Sequence, residues 1–223
     1  MIRADPVSTD SAWTDLAGPQ RRPTLSDRLR SETRDQHEDL ERRLDWRQRM
    51  ATQEGYRSLL ARWWGFHRVF EPAVAAAFGA DFAQPLGKRH LLERDLRHFG
   101  MSGEAIEALP RFSPFTGFDD RAAILGALYV TEGSTLGGQV IAHHVRRSLG
   151  ETIASGGCAY YEGYGKRDTA AMWTSFRAFL DRSGEDSPAG DVIDGARWTF
   201  RALATWLCGD EPSRHAPPGT TPR

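Results

Sequence analysis

Apolar residues recur every three or four positions along almost the whole 223-residue chain, and this spacing restricts the fold to packed helices. Leu25, Leu29, Leu40 and Leu44 show the spacing near the start of the chain. Runs of alternating apolar and polar residues bounded by turn pairs, which would indicate strands, are absent from the sequence. The pattern therefore predicts an all-α protein.

We expect one helical domain, residues 23–209, between two disordered tails. Residues 1–22 contain no apolar segment, and residues 210–223 contain four prolines. Thr24, with Asp27 three positions later, forms a capping-box pattern that predicts the start of the first helix. The predicted helices span approximately Leu25–Leu44, Gln53–Phe78, Lys88–Phe99, Glu104–Leu109, Asp119–Leu149, Thr169–Asp181 and Gly190–Leu207.

Charge and cysteine content exclude several classes of protein. The 29 basic and 30 acidic residues give a net charge of -1, so no overall basic field attracts nucleic acid. Two cysteines are too few for the disulfide framework of a small secreted protein. The segment from Ala122 to Ala142 carries one charge, Glu132, but its four glycines weaken the apolar signal below that of a membrane span. We expect a soluble, cytoplasmic protein.

The first predicted helix contains a candidate ligand, His37. At about 100° per residue, this histidine projects on or beside the apolar face of the helix. Glu41 follows one turn later, where its carboxylate can hold one ring nitrogen and leave the other free for a metal. Arg30, two turns earlier, adds a positive charge to the same face. A core-edge histidine with one hydrogen bond fits the same spacing, so the position alone leaves both interpretations open.

Glycines interrupt the long apolar segment from Asp119 to Leu149. Each glycine inside a helix costs about 1 kcal/mol relative to alanine. Gly126, Gly133 and Gly137 project within about 60° of one another and form a bare stripe. Either a second helix packs closely against this stripe or a flat ligand lies on it, and the geometry favours neither.

Together the two segments resemble the haem oxygenase family, in particular its bacterial branch associated with bacteriophytochromes. The resemblance extends over the entire predicted domain, roughly Leu25 to Leu207, and implies a helical bundle in which haem is sandwiched between a proximal helix and a glycine-rich distal helix. The proximal pattern is met by Leu29, Arg30, Thr33, His37 and Glu41, and the distal pattern by Gly133, Gly137, Gly138 and Gln139.

The resemblance also implies roles for individual residues. His37 is expected to ligate the iron of haem b, with Glu41 as its partner. The distal wall, whose backbone closes over the iron, comprises Gly133, Ser134, Gly137 and Gly138. Haem is a dianion, so basic groups are expected around it. The further expected haem contacts are Arg30, Tyr129, Arg197 and Arg201, although the two arginines of the last helix equally fit a solvated helix face.

The implied reaction opens haem oxidatively to biliverdin and releases CO and Fe(II). It consumes O2 and electrons, and no flavin or nicotinamide motif is present in the sequence. We therefore expect an external electron donor, either a ferredoxin or a reductase. The resemblance leaves two roles open for the biliverdin, delivery to a bacteriophytochrome or formation as a by-product of iron retrieval.

One residue departs from the common family pattern. Ser134 stands where many members have an aspartate thought to anchor a water network, so Glu132 and Ser134 become the nearest polar candidates for that role. The departure leaves open a non-catalytic haem carrier or sensor on the same fold.

The remaining histidines offer no comparable site. His143 and His144 point about 100° apart on a helix, which makes a shared non-haem metal ion an unfavourable alternative. We expect His67, His90 and His98 at the surface or at the edge of the core.

Overall fold

The computed structural model describes residues 23–113, 118, 120–184 and 187–209, and all regular structure in them is helical. The all-α prediction is confirmed, whereas the two predicted disordered tails lie outside the described residues. No helix among these residues is long and apolar enough to cross a membrane. The helices are α1 Leu25–Glu32, α2 Arg34–Leu44, α3 Trp46–Arg49, α4 Gln53–Phe78, α5 Ala80–Ala83, α6 Arg89–His98, α7 Gly103–Glu107, α8 Arg121–Leu149, α9 Ala159–Glu162, α10 Gly165–Ser183 and α11 Ala189–Cys208.

Helix α4 crosses the core and coincides with its predicted bounds. It begins where the Thr52 side chain accepts a hydrogen bond from the Gly55 N–H at 3.1 Å. It ends at Gly79, whose φ of 92° is readily adopted only by glycine. Its aromatic face is fully buried, including Trp64 and Phe66. This helix contributes its apolar face to the core, and Trp63 at one edge of that face lines the cleft described below.

The predicted first helix is two helices, so the expectation of one continuous helix was wrong. The predicted capping box at Thr24 is present and starts α1. The break lies at Thr33, where φ is -114° and ψ is 8°. The Thr33 hydroxyl donates to the Leu29 carbonyl at 2.7 Å, a side-chain bond that often bends helices. Helix α1 packs into the core, whereas α2 buries no residue at all.

Helix α8 packs along α11 with the two backbones in close approach. A Cβ atom on Gly126 would lie 2.2 Å from the Val192 carbonyl oxygen. Reciprocally, a Cβ on Gly195 would lie 2.6 Å from the Ala123 Cα. Only glycine allows this approach, and it fixes the position of α8 relative to the rest of the bundle.

A buried aspartate holds the short helix α9 against the bundle. The two carboxylate oxygens of Asp95 accept the N–H groups of Ala159 and Tyr160, both at 2.8 Å. Burial raises the pKa of this carboxyl, and the two backbone hydrogen bonds oppose that effect. At the other end of α9, the Gln139 side chain donates to the Glu162 carbonyl at 2.9 Å. These contacts fix two adjacent tyrosines, Tyr160 and Tyr161, beside α8.

Candidate functional site

A cleft of about 910 Å³ separates α2 from α8. Residues of α1, α9, α10 and α11 border it. Its volume lies at the upper end of the range for small-molecule and cofactor sites. The two helices that carry the sequence motifs therefore face each other across a space large enough for a sizeable ligand.

His37 projects into this cleft from α2, with 53% of its side chain exposed. Its Nε2 lies 3.7 Å from Glu41 Oε1, one turn along the helix, which is longer than a hydrogen bond. The ring of Phe200 on α11 stands edge-on to the imidazole, with centroids 5.7 Å apart and planes at 87°. The imidazole is thus supported on one side by an aromatic ring and accessible from the cleft.

The glycines of α8 divide into two groups. Gly137 borders the cleft, and a Cβ built there would meet no atom within 4 Å. A Cβ on Gly133 would lie 3.6 Å from the Trp173 ring, an ordinary contact. By contrast, Gly126 packs against α11, and a Cβ on Gly138 would lie 2.5 Å from the Tyr161 carbonyl oxygen. Gly126 and Gly138 are therefore closely packed, whereas Gly133 and Gly137 leave a wall without side chains beside the cleft.

Both polar candidates beside these glycines are engaged in hydrogen bonds within the protein. Ser134 lines the cleft, but its hydroxyl donates to the Thr131 carbonyl of its own helix at 2.8 Å. Glu132 is buried outside the cleft wall, where its carboxylate pairs with Lys88 and accepts the Tyr164 hydroxyl at 3.0 Å. Residues of α4, α9 and the start of α6 also line the cleft: Trp63, Lys88, Tyr160 and Tyr161.

Basic residues border the cleft near α1 and α10. Arg30 lies there as expected, and Arg177 on α10 joins it, although sequence reasoning missed Arg177. The Arg177 guanidinium donates to the Ser26 hydroxyl at 3.1 Å and lies 3.4 Å from Asp27. Tyr129 also lines this region, and burial raises the pKa of its hydroxyl while the nearby Thr33 and arginines oppose the effect.

The two arginines expected from the last helix do not line the cleft. Arg197 donates to the Glu32 carbonyl at 3.1 Å and lies 3.2 Å from Asp194, so its guanidinium holds the end of α1. Arg201 is exposed. The amphipathic pattern of α11 correctly identifies a polar face, but that face borders α1 and solvent.

The histidines outside the motif differ in their surroundings. His90 is exposed and His98 is half-buried, in agreement with the sequence. His67 is 2% exposed on α4, so the expectation of a surface or core-edge position was wrong for this residue. His143 is exposed, and His144 Nε2 lies 3.0 Å from the Arg47 carbonyl oxygen.

These features fit the flat, dianionic haem that the resemblance implies. A ligand-type imidazole stands on one side of the cleft, and a helix without side chains at Gly137 stands on the other. Two arginines border one region where carboxylates could be held. Apolar side chains complete the walls, among them Leu136, which is 45% exposed.

Comparison with known proteins identifies a matching protein family and solved structures with a similar fold. The model of the family described as "Heme oxygenase" matches residues 23–208. The structure is similar to the heme oxygenase of Neisseria meningitidis, solved with NO and CO bound (TM-score 0.66, 20% identity, covering 89% of this chain and 99% of that one). It is also similar to heme oxygenase from Leptospira interrogans (TM-score 0.67, 17% identity, covering 83% of this chain and 98% of that one). A third similar structure is heme oxygenase-1 from the cyanobacterium Synechocystis sp. PCC6803 in complex with heme (TM-score 0.65, 17% identity, covering 82% of this chain and 90% of that one). No curated protein sequence matches the chain significantly.

Proposed function

The chain belongs to the heme oxygenase family, and we propose that it uses O2 and externally supplied electrons to open haem oxidatively to biliverdin, with release of CO and Fe(II). The observation that carries this proposal is the opposition of His37 and Gly137 across a cleft of about 910 Å³. Haem b, when bound, supplies both the redox-active iron and the porphyrin ring that is opened.

On the proximal side, His37 is the proposed iron ligand. Its imidazole is accessible from the cleft, and the edge-on ring of Phe200, which also lines the cleft, restricts its orientation. Glu41 lies within reach of a small side-chain rotation, so its carboxylate can accept one ring N–H and orient the ring. The absence of any buried residue on α2 supports this role, because its inner face becomes covered only when a ligand fills the cleft.

On the distal side, the proposed role of α8 is to provide a bare wall. With no Cβ at Gly137 and only a loose contact at Gly133, the helix backbone can approach a flat ring closely. The exposed Leu136 is positioned to be buried against such a ring, which excludes water from that face. Gly138 has a different proposed role, since its contact with Tyr161 sets the position of the wall.

Arg30 and Arg177 are the proposed anchors for the two haem carboxylates. Guanidinium groups form charge-assisted, often bidentate hydrogen bonds with carboxylates, which fix orientation as well as affinity. Tyr129 lies beside both arginines and can donate a further hydrogen bond. The position of these anchors determines how the ring is rotated in the cleft and therefore which edge of the porphyrin is attacked.

The proposed partners follow from the reaction. Electrons are to come from a separate ferredoxin or reductase, and a bacteriophytochrome is a proposed recipient of the biliverdin. A cytoplasmic location, where such donors operate, is part of the same proposal.

A single-turnover assay tests the proposal. Haem-loaded protein is supplied with oxygen and either ascorbate or reduced ferredoxin, and the Soret band is followed while the product is extracted. We expect the Soret band to decay and an equimolar bilin to appear. A stable Soret band would favour the alternative, a haem carrier or sensor, which is consistent with the engagement of the Ser134 hydroxyl by its own helix.

A further inference from the structure

A chain of polar groups extends from the cleft into the core behind α8. Tyr160, which lines the cleft, places its hydroxyl 3.4 Å from His67 Nε2. The other ring nitrogen, Nδ1, lies 3.3 Å from Glu71 Oε1. The side chain of Glu71 is 24% exposed. One imidazole thus stands between the hydroxyl of a cleft-lining tyrosine and a partly exposed glutamate.

A small cavity of about 10 Å³ lies beside His67. Glu71, Lys88, Thr131 and Glu132 line it together with His67 and five apolar residues. This volume is about what one water molecule needs. The structure therefore offers space for one water molecule beside His67.

One ring nitrogen of His67 makes no aligned hydrogen bond to the described residues. Nδ1 is buried and makes no aligned hydrogen bond, despite its distance of 3.3 Å from Glu71. Glu71 Oε1 already accepts the N–H groups of Lys88 and Arg89, at 2.7 and 2.8 Å. A buried nitrogen left without a partner costs about 1–3 kcal/mol. A water in the small cavity would remove this cost by donating to Nδ1.

We propose that His67 is a proton-relay residue that connects a water in this small cavity with the hydroxyl of the cleft-lining Tyr160. The proposal rests on the proposed function, because reduction of O2 in the cleft consumes protons there. In this proposal His67 provides the proton-transferring group, since the side chains of Ser134 and Glu132 are engaged in hydrogen bonds within the protein.

The relay moves one proton without any other bond change. The Tyr160 hydroxyl releases its proton to water in the cleft and receives the proton of His67 Nε2. At the same time Nδ1 takes a proton from the water in the small cavity, which is reprotonated from solvent on the Glu71 side. The transfer leaves the ring proton on Nδ1, so one change of tautomer carries one proton. The net result is one proton transferred from solvent to the cleft.

The surroundings of the ring suit this concerted transfer. The titratable groups that face His67 are Glu71 on its own helix, Tyr160 on α9, Lys88 at the start of α6 and Glu132 on α8. Burial lowers the pKa of His67, so the resting imidazole is neutral and has one N–H and one acceptor nitrogen. Burial raises the pKa of Tyr160 well above its usual value, so its hydroxyl gives up a proton only as it receives another.

Two variants test the relay in the haem-loaded protein. His67→Gln keeps a hydrogen-bonding side chain but cannot pass a proton between two nitrogens, and Tyr160→Phe removes only the hydroxyl. Both should bind haem with wild-type affinity, turn over about tenfold or more slowly and show a changed solvent isotope effect on turnover. His90→Gln, on the exposed face of α6, is the matched control and should behave as the wild type.

Ring-nitrogen NMR of the haem-free protein provides a readout independent of turnover. With 15N-labelled histidine, we expect His67 to carry its proton on Nε2 and to have an acceptor Nδ1. Tyr160→Phe should shift the Nε2 resonance, whereas His90→Gln should leave both His67 resonances in place. A ring protonated on Nδ1 and hydrogen-bonded to Glu71 would overturn the relay, since it would be a fixed donor to that carboxylate.

The two proposals fail in different ways. If the wild type binds haem but does not degrade it, the proposed function is wrong, and the NMR measurement still decides the geometry of the relay. If the wild type degrades haem and both variants match its rate and isotope effect, the relay is wrong and the proposed function stands.

Discussion

Gly137 and Gly138 are neighbours on α8 but lie in opposite surroundings. A Cβ atom at Gly138 would overlap the Tyr161 carbonyl oxygen at 2.5 Å, whereas a Cβ at Gly137 would meet no atom within 4 Å. Both glycines border the cleft, but only Gly138 is also required by the packing of α9 against the helix.

Alanine at these two positions should therefore have opposite effects. Gly137→Ala should raise the free energy of unfolding by up to about 1 kcal/mol, because alanine favours a helix, and should weaken haem binding. Gly138→Ala should lower the free energy of unfolding by about 1–3 kcal/mol through overpacking. Urea denaturation and haem titration measure both effects. Equal loss of stability in the two variants would contradict the packing described for α8.

Substitutions at Arg177 and Arg201 form a matched pair of variants whose haem affinities can be compared. Arg177→Gln removes a charge that borders the cleft, and a lost charge-assisted hydrogen bond to a carboxylate weakens binding by about 1.5–3 kcal/mol, or roughly tenfold to a hundredfold. Arg201→Gln removes an exposed charge outside the cleft and should leave the affinity unchanged. Competition titration with apomyoglobin measures the two affinities, and the reverse order would show that α11 holds the carboxylates.

The ion pair between Lys88 and Glu132 is buried, with side-chain exposures of 4% and 5%. Lys88→Met leaves the Glu132 carboxylate without its cation and should cost about 3–5 kcal/mol of folding stability. Adding Glu132→Leu to that variant should recover most of the loss. The exposed pair of Arg28 and Glu32 is the control, and Arg28→Gln should cost about 1 kcal/mol at most. Chemical denaturation distinguishes these outcomes.

The buried His67 should make the folded protein sensitive to mild acid. Because burial lowers the pKa of this imidazole in the folded state, the unfolded chain binds more protons below its ordinary pKa of 6.5. Stability is therefore full above pH 6.5 and falls as the pH decreases below it, by at most about 1.4 kcal/mol per pH unit.

The pH dependence of the variant His67→Gln tests this sign. Its free energy of unfolding should fall less than that of the wild type between pH 7 and pH 5. The lowered pKa of Glu71 affects stability only below about pH 4.5, outside this interval. Parallel curves for the two proteins would indicate that His67 is accessible to protons in the folded state.

The helices are largely predictable, but the break at Thr33 is not. The 26 residues of α4 have a continuous helical period, an N-terminal threonine cap and a glycine with positive φ at the end, and these signals outweigh Pro72 inside the helix. At Thr33 the apolar period continues through the break. The interruption arises from a hydroxyl that bonds to its own helix, and this hydrogen bond leaves no mark on the apolar pattern.

The site is predictable where it depends on one helix and unpredictable where it depends on how helices pack. The spacing of His37 and Glu41, and the bare stripe of α8, follow from helical periodicity alone. Whether Arg177 or Arg197 borders the cleft depends on the arrangement of α10 and α11 around it. His67 and Glu71 have the same i, i+4 spacing as His37 and Glu41, so the sequence contained a signal, but their burial depends on α9.

The spectrum of haem bound to His37→Ala tests the central claim most directly. His37 is exposed, so this variant should fold with wild-type stability to within about 0.5 kcal/mol. We predict that its complex with haem loses the five-coordinate histidine-ligated spectrum of the wild type. The matched variant His143→Ala, at another exposed histidine, should keep that spectrum. A wild-type spectrum in His37→Ala would show that a residue other than His37 holds the iron and would contradict the account.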